Sequence, residues 1–320
     1  TDILQSGFPQ YFESCSSWVS PVLTGDLDAD GNSELLVASG KAVYAWNSNG
    51  SPFYSDSTGF RVSVVSDTLS YDIPLLLSCP ESISVPPLIF DINGDKQDEV
   101  LIAYQSGTVS CWRFGFDSGG DLVSDNLFSW TDNQSSVSTY LHIILSASDT
   151  SLIFGTGEGK VVCLSRNGDI CWEYKAGEEA ITGICQVSDN GSIAVTCSHT
   201  LFFIDNSGSL MGEKQFSEKE ELRDPVSAYL GAQDYSLTAV VSTSGNVLIY
   251  DRFKEQFFST EEKISYTDIS IPAAGDIDGD GVGEIVITAQ DKIYGVNYNA
   301  SFADYTPFPY YPRTAELSSC

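Results

Sequence analysis

Basic residues are scarce in this chain. Against 44 Asp and Glu stand 15 Lys and Arg, giving 320 residues a formal net charge of −29. Binding the phosphates of a nucleic acid requires clustered Lys and Arg, so that class of partner is excluded. Histidine is scarcer still, with His142 and His199 alone. His142 lies in an apolar run and reads as a packed residue; His199, in Ser198-His199-Thr200, reads as a turn. No G-x-S-x-G elbow, phosphate-binding glycine loop or H-E-x-x-H occurs. A glycosidase-type carboxylate pair cannot be chosen without geometry. No apolar run approaches the ~18 residues of a membrane span. The N-terminal Thr1-Asp2-Ile3-Leu4 lacks a charged-then-apolar leader, so the sequence is expected to be a mature product or a fragment. Helical spacing of apolar residues is nearly absent; only Ser217 to Leu222 is charged enough to be a helical turn or a loop.

What is present is acid in a fixed pattern. Asp26-Leu27-Asp28-Ala29-Asp30-Gly31-Asn32-Ser33-Glu34 places carboxylates at its first, third, fifth and ninth positions and glycine at the sixth. Such alternation makes an oxygen cage for a hard cation, with a backbone carbonyl near Asn32 and a sharp turn at Gly31. The candidate ligands are Asp26, Asp28, Asp30, Asn32 and Glu34. A second copy offers Asp276, Asp278, Asp280, Val282 (through its carbonyl) and Glu284. The loosest offers Asp91, Asn93, Asp95, Gln97 and Glu99, with Lys96 where glycine is preferred. Each follows one short apolar run and precedes another, so the units are strand–loop–strand rather than helix–loop–helix. Two to three structural Ca²⁺ ions are expected. Lying in separate repeats, the loops are expected to act independently.

The same strand theme continues through the rest of the chain, without the acid in the third to fifth units. From Tyr140 onward, four units of about 45 residues recur, each with about four short strands and Asn/Asp-Gly turns such as Arg166-Asn167-Gly168-Asp169. A four-stranded antiparallel sheet cannot bury both faces alone, and units of this length solve that by stacking as blades. The expectation is an all-β chain forming one β-propeller over residues 1–320, of six four-stranded blades, with seven possible if 54–80 or flanking sequence supplies one. Residues 54–80 read as an insertion in the first blade, with Arg61–Val65 as its fourth strand. Residues 1–17 and 301–320 read as closing strands or linkers.

The unit Ser20 to Val37 resembles the FG-GAP/VCBS repeat of integrin-α-like propellers, as does Ile271 to Ile287. That resemblance implies Ca²⁺ between the first two strands of the bearing blades. The middle units, best seen in Gly159 to Trp172, resemble quinoprotein-like propeller repeats and carry no cage.

Eight cysteines, an even count, fit disulfides in an oxidising compartment, with Cys15 and Cys320 able to bridge the termini. Asn49, Asn133, Asn190 and Asn299 head glycosylation sequons, compatible with secretion. These readings converge on an extracellular or cell-surface binding, adhesion or structural module that does no chemistry. Its partner would be a protein or glycan at a propeller face, or copies of itself in a surface layer or fibre. A Ca²⁺-dependent polysaccharide-active enzyme and an envelope-assembly scaffold remain the alternatives. The aromatic cluster Phe302, Tyr305, Phe308, Tyr310 and Tyr311 reads as a closing strand or a docking surface.

Overall fold

The computed structural model describes residues 18–53, 60–66, 69–132, 135–145, 150–187, 191–217, 219–228, 236–251, 256–259, 270, 272–277, 283–289 and 292–297. The chain forms two compact units, Thr1–Ile181 and Thr182–Cys320. Residues 1–17 and 301–320, expected to be closing strands or linkers, lie outside the described residues, and so do Cys15, Cys320 and the aromatic cluster near the end of the chain.

The first unit holds three antiparallel sheets. The first comprises β1 (Leu23–Gly25), β2 (Glu34–Ser39), β3 (Ala42–Trp46), β4 (Phe60–Ser66) and β5 (Leu69–Ser78), in the order β1-β2-β3-β5-β4. The second is β6 (Leu88–Phe90), β7 (Glu99–Ala103), β8 (Thr108–Phe116) and β9 (Leu122–Thr131) in sequence order, and the third is β10 (His142–Leu145), β11 (Thr150–Gly155), β12 (Lys160–Ser165) and β13 (Ile170–Lys175).

The second unit continues the theme. Its sheets are β14 (Ile181–Gln186), β15 (Ile193–Cys197), β16 (Thr200–Ile204) and β17 (Leu210–Gln215); then β18 (Val226–Ala228), β19 (Leu237–Val241), β20 (Val247–Asp251) and β21 (Gln256–Ser259); then β22 (Ala273–Gly275), β23 (Glu284–Ala289) and β24 (Lys292–Asn297). Among the described residues there are thus six sheets and no helix.

Burial explains why the middle strands are nearly continuous apolar runs. Every residue of β3, β7, β15 and β19 is buried, whereas β13 and β17 at the sheet edges are mostly exposed. A strand covered on both faces has no solvent side to fill with polar residues. The covering is sheet on sheet. Leu36 and Val43 of the first sheet pack with Ile102 and Phe114 of the second, and Leu101 and Val109 pack with Leu152, Phe154 and Val162 of the third. In the second unit Ala194 and Leu201 pack with Val240 and Leu248, and Ala239 and Ile249 pack with Ile285 and Ile287. Each fully buried Leu, Ile or Phe contributes about 2 kcal/mol of transfer free energy.

Hydrogen bonds tie neighbouring sheets within each unit. The segment entering a sheet donates to the central hairpin of its predecessor: Ile83 N–H to the Gly40 carbonyl (2.9 Å) and Asp132 N–H to the Gly107 carbonyl (3.2 Å) in the first unit, and Leu222 N–H to the Ser198 carbonyl (2.8 Å) in the second. The outer hairpins close with glycine in the left-handed region, as at Gly168 and Gly208, both with φ of 83°.

The structure departs from expectation at two places. The strand beside β3 is β5, not Arg61–Val65, which lies in β4 at the sheet edge as a fifth strand. The run that precedes the tight link at Cys79 and Ile83 takes the inner place, and the 60–66 arm folds back onto it. The second departure concerns cysteine. Cys79, Cys111, Cys163, Cys171, Cys185 and Cys197 carry thiols rather than disulfides. Cys79, Cys111, Cys163 and Cys197 sit buried in the strand layers as small apolar side chains, which an even count cannot distinguish from paired cysteines.

Candidate metal centre

The loop 26–34 joins β1 to β2, whose pairing ends at Gly25 opposite Glu34. Alternate carboxylates organise its backbone. Asp26 accepts the N–H groups of Asp30 (3.1 Å) and Gly31 (2.9 Å), Asp28 that of Asp30 (3.2 Å), and Asp30 that of Asn32 (2.7 Å). Glu34 Oε2 reaches back to the Leu27 N–H at 2.8 Å. Left-handed conformations at Ala29 (φ 61°) and Gly31 (φ 86°) curl the chain tightly enough for this. The outcome brings oxygens of Asp26, Asp28 and Glu34 within 4.8 Å of one another.

Glu34 is 2% exposed. Burial pushes its carboxyl up to about 7, helped by the charges of Asp28, Asp30 and Asp26 and opposed by the Leu27 N–H. Burial likewise raises Asp28, with Asp30 and Asp26 adding repulsion. Two carboxylates at such a separation repel by about 3 kcal/mol at an effective dielectric near 20. The donor set is all oxygen and three of its members are acids, a match to a hard divalent cation rather than a soft one. Asp30 and Asn32 are exposed and bond each other, Asn32 Nδ2 donating to Asp30 Oδ1 at 3.0 Å.

The loop 91–99 repeats the backbone pattern. Asp91 accepts from Asp95 (3.1 Å) and Lys96 (2.8 Å), Asn93 Oδ1 from Asp95 (2.8 Å), Asp95 from Gln97 (2.9 Å), and Glu99 Oε2 from Ile92 (3.0 Å). Lys96 adopts φ of 72°, the conformation Gly31 holds in the first loop, so the turn accommodates a lysine where glycine is preferred. The side chains differ. Asn93 Nδ2 donates to Glu99 Oε1 at 2.7 Å and to Asp95 Oδ2 at 3.0 Å. Arg113 Nη1 stands 3.7 Å from Asp95 Oδ2. Burial pushes Glu99 up to about 7, opposed first by the Ile92 N–H, raised further by Asp95 and Asp91, and lowered by Arg113. Gln97 leaves its own loop: its amide donates to the carbonyls of Leu27 (2.6 Å) and Phe114.

The third loop keeps the closing bond. Ile277 N–H donates to Glu284 Oε2 at 2.9 Å, with Gly275 paired to Glu284. Glu284 is fully buried, and its Oε1 finds no hydrogen-bond partner among the described residues. A buried, unpartnered carboxylate oxygen fits a cation ligand, because leaving it bare is costly. Asp276 is exposed at the loop entrance; Asp278, Asp280 and Val282 lie outside the described residues.

Two relevant residues escaped the sequence pattern. Asp98 occupies the eighth position, held by Ser33 and Gly283 in the other loops, and has no place in an alternation of ligands. Its Oδ2 accepts the Asp26 N–H at 2.8 Å, and its own N–H donates to the Asp26 carbonyl at 2.8 Å. Arg113 lies on β8, and only the register of the sheet brings it to Asp95. The first two loops are therefore joined, not separate.

Neither histidine takes part in these loops. His142 lies in β10 with Nε2 buried and unpartnered, and burial holds its imidazole below the usual range. His199 pairs with Ser198 Oγ (3.1 Å) and Gln215 Nε2 (3.0 Å) in a turn.

No protein-family model matches the sequence. No curated protein matches it either. The fold does match solved structures. BamB from Moraxella catarrhalis is 15% identical, with 87% of this chain and 72% of that one aligned at a TM-score of 0.54. Sqt1 from Saccharomyces cerevisiae is 13% identical over 85% and 69% of the two chains, at 0.56. BBS1N, solved in complex with ARL6DN, is 12% identical over 91% and 96%, at 0.50. All three are β-propellers, and the chain shares that fold: successive antiparallel sheets of mostly four strands, with no helix among the described residues.

Proposed function

We propose that this chain is a Ca²⁺-stabilised β-propeller that binds another macromolecule and performs no chemistry itself, working outside the cell or at its surface. The observation that carries the metal reading is the convergence of Asp26, Asp28 and Glu34 within 4.8 Å around a buried carboxylate. The bare Glu284 Oε1 in an equivalent loop supports it. Asp26, Asp28, Asp30 and Glu34 would hold one ion, and Asp276, Asp278, Asp280 and Glu284 a second. The third expected set, Asp91, Asn93, Asp95 and Glu99, is given no ion in this reading, because Asn93 and Arg113 already answer its acids. The ion supplies charge neutralisation and nothing reactive: it offsets repulsion among acids and joins β1 to β2, or β22 to β23, at the loop. Binding the folded state alone, it raises stability by mass action.

The binding role is supported by the fold. Propellers present loops on a rigid frame, and one of the structural neighbours was solved with a protein partner. Fold alone does not decide function. The protein or glycan class of the ligand, adhesion and assembly into a layer are parts of this proposal. Extracellular placement draws on the sequons and on the weak, millimolar-range Ca²⁺ affinity typical of extracellular modules; the thiol state of the described cysteines gives it no support. The test is a thermal melt of the purified chain in 1 mM-range Ca²⁺ and in excess chelator, alongside pull-down from cell-surface material and a glycan array. A melt indifferent to chelation contradicts the metal reading, and absence of any retained protein or glycan contradicts the binding role.

A further inference from the structure

Loop 91–99 contributes more bonds to loop 26–34 than an adjacent turn requires. Asp98 brackets Asp26 from both sides, accepting its N–H and donating to its carbonyl, each at 2.8 Å. Gln97 holds the carbonyl of the next residue, Leu27, at 2.6 Å. Leu27 in turn supplies the N–H that anchors Glu34 Oε2. The main chain between the first candidate ligand and the group that orients the last is thus fixed by two side chains from the neighbouring sheet. Gly25, just before it, sits so close that a Cβ there would meet Ile89 Cγ2 at 2.2 Å and Asp98 Oδ2 at 2.8 Å.

The donor loop is able to stand by itself. Its third residue is Asn93, and that amide satisfies Glu99 Oε1 and Asp95 Oδ2, with Arg113 beside Asp95. In the first loop the same position is Asp28, which has no proton to donate, and three acids converge there.

We infer that Asp98 and Gln97 are positioning residues for a cation site in loop 26–34, and that loop 91–99 is a self-compensated template which holds its shape without an ion. The inference rests on the proposed cation site and goes beyond it. It makes affinity at the first loop depend on side chains that contact no ion. Rigid loops bind more tightly because less ordering is lost on binding.

Calorimetric titration of the full chain with Ca²⁺ after chelator removal tests this. Asp28→Asn should abolish one binding event and so identify it as loop 26–34; if no event is lost, the proposed cation site itself fails. Asp98→Ala should weaken that same event about tenfold, as loss of a charge-assisted hydrogen bond would, and leave any other event unchanged. Asp98→Asn, which keeps an acceptor for the Asp26 N–H, should restore affinity to within about threefold. Should Asp98→Ala fail to fold by far-UV circular dichroism, Gln97→Met, which removes only the amide, should weaken the event about threefold. Asp91→Asn should leave the number of events unchanged. Unaltered affinity at loop 26–34 in the Asp98 or Gln97 variants overturns the positioning role. Loss of an event in Asp91→Asn overturns the ion-free template.

Discussion

Loops 26–34 and 91–99 share five backbone hydrogen bonds position for position, from the Leu27 and Ile92 N–H groups at one end to the Asn32 and Gln97 N–H groups at the other. They differ in how buried acid is answered. In one loop an amide nitrogen and a guanidinium lie among the carboxylates; in the other a third carboxylate does. On the proposed reading the same backbone is a finished structure in one loop and a binding site in the other, and the third residue decides which. On that reading the donors and acceptors of the side chains, not the recurrence of the backbone, mark where an ion is needed.

The sharpest way to break this comparison is steric. Gly25→Val would force the junction of the two loops apart, since its Cβ would press on Ile89 and Asp98. A cost of about 3 kcal/mol is expected, read as a lower urea midpoint. At the matching Gly275 no described atom lies within 4 Å of an added Cβ, so Gly275→Ala should cost less than about 1 kcal/mol. Equal losses at the two sites would show that the Asp98 junction is not special.

Next in size is the ion itself. With Ca²⁺ at about a hundred times its dissociation constant, mass action adds about 2.7 kcal/mol per site. Chelation should therefore lower Tm by several degrees in the parent chain and by much less in a double variant, Asp28→Asn with Glu284→Gln. A double variant as sensitive as the parent would place the ion elsewhere.

Much of this was readable in advance. Most strands from β6 onward, the turn glycines and the first-to-ninth spacing of acids express local rules: apolar runs, φ preferences and alternation. The strands β9 and β17 do not, since the polar run from Asp117 to Asn133 reads as a long loop or edge hairpin and the exposed stretch after Gly208 has no apolar run. What was not readable came from contacts between segments far apart in the chain. Asp98 and Asp26 are 72 positions apart. Arg113 meets Asp95 through sheet register. The exchange of β4 and β5 depends on which arm of a hairpin reaches β3, and both arms are apolar enough. The thiols were misread because burial of cysteine and pairing of cysteine leave the same even count.

A carboxyl outside the loops sharpens the electrostatic side. Burial pushes half-buried Asp224 up to about 6, opposed by its own backbone N–H and by Arg223. Folded chains then keep a proton that unfolded chains release near 3.8. Stability should fall as pH rises between those values and stay low above them. Asp224→Asn should gain about 1 kcal/mol at pH 7, with the gain vanishing near pH 4. Calcium should not alter that difference, whereas it should alter the effect of Asp28→Asn. Denaturant titrations at both pH values, with and without Ca²⁺, separate the two.

The smallest effect concerns the turns. Lys96→Gly relieves a left-handed φ of 72° and should add about 0.5–1 kcal/mol without changing Ca²⁺ binding. A stability loss would mean that the Lys96 side chain does more than tolerate the turn.

Crystals grown with Mn²⁺ or Ca²⁺ and measured for anomalous scattering give the most direct reading of the central claim. The account predicts a strong peak bounded by Asp26, Asp28 and Glu34, and no peak among Asp91, Asn93 and Glu99. An empty first loop, or peaks of equal height in both, would contradict it.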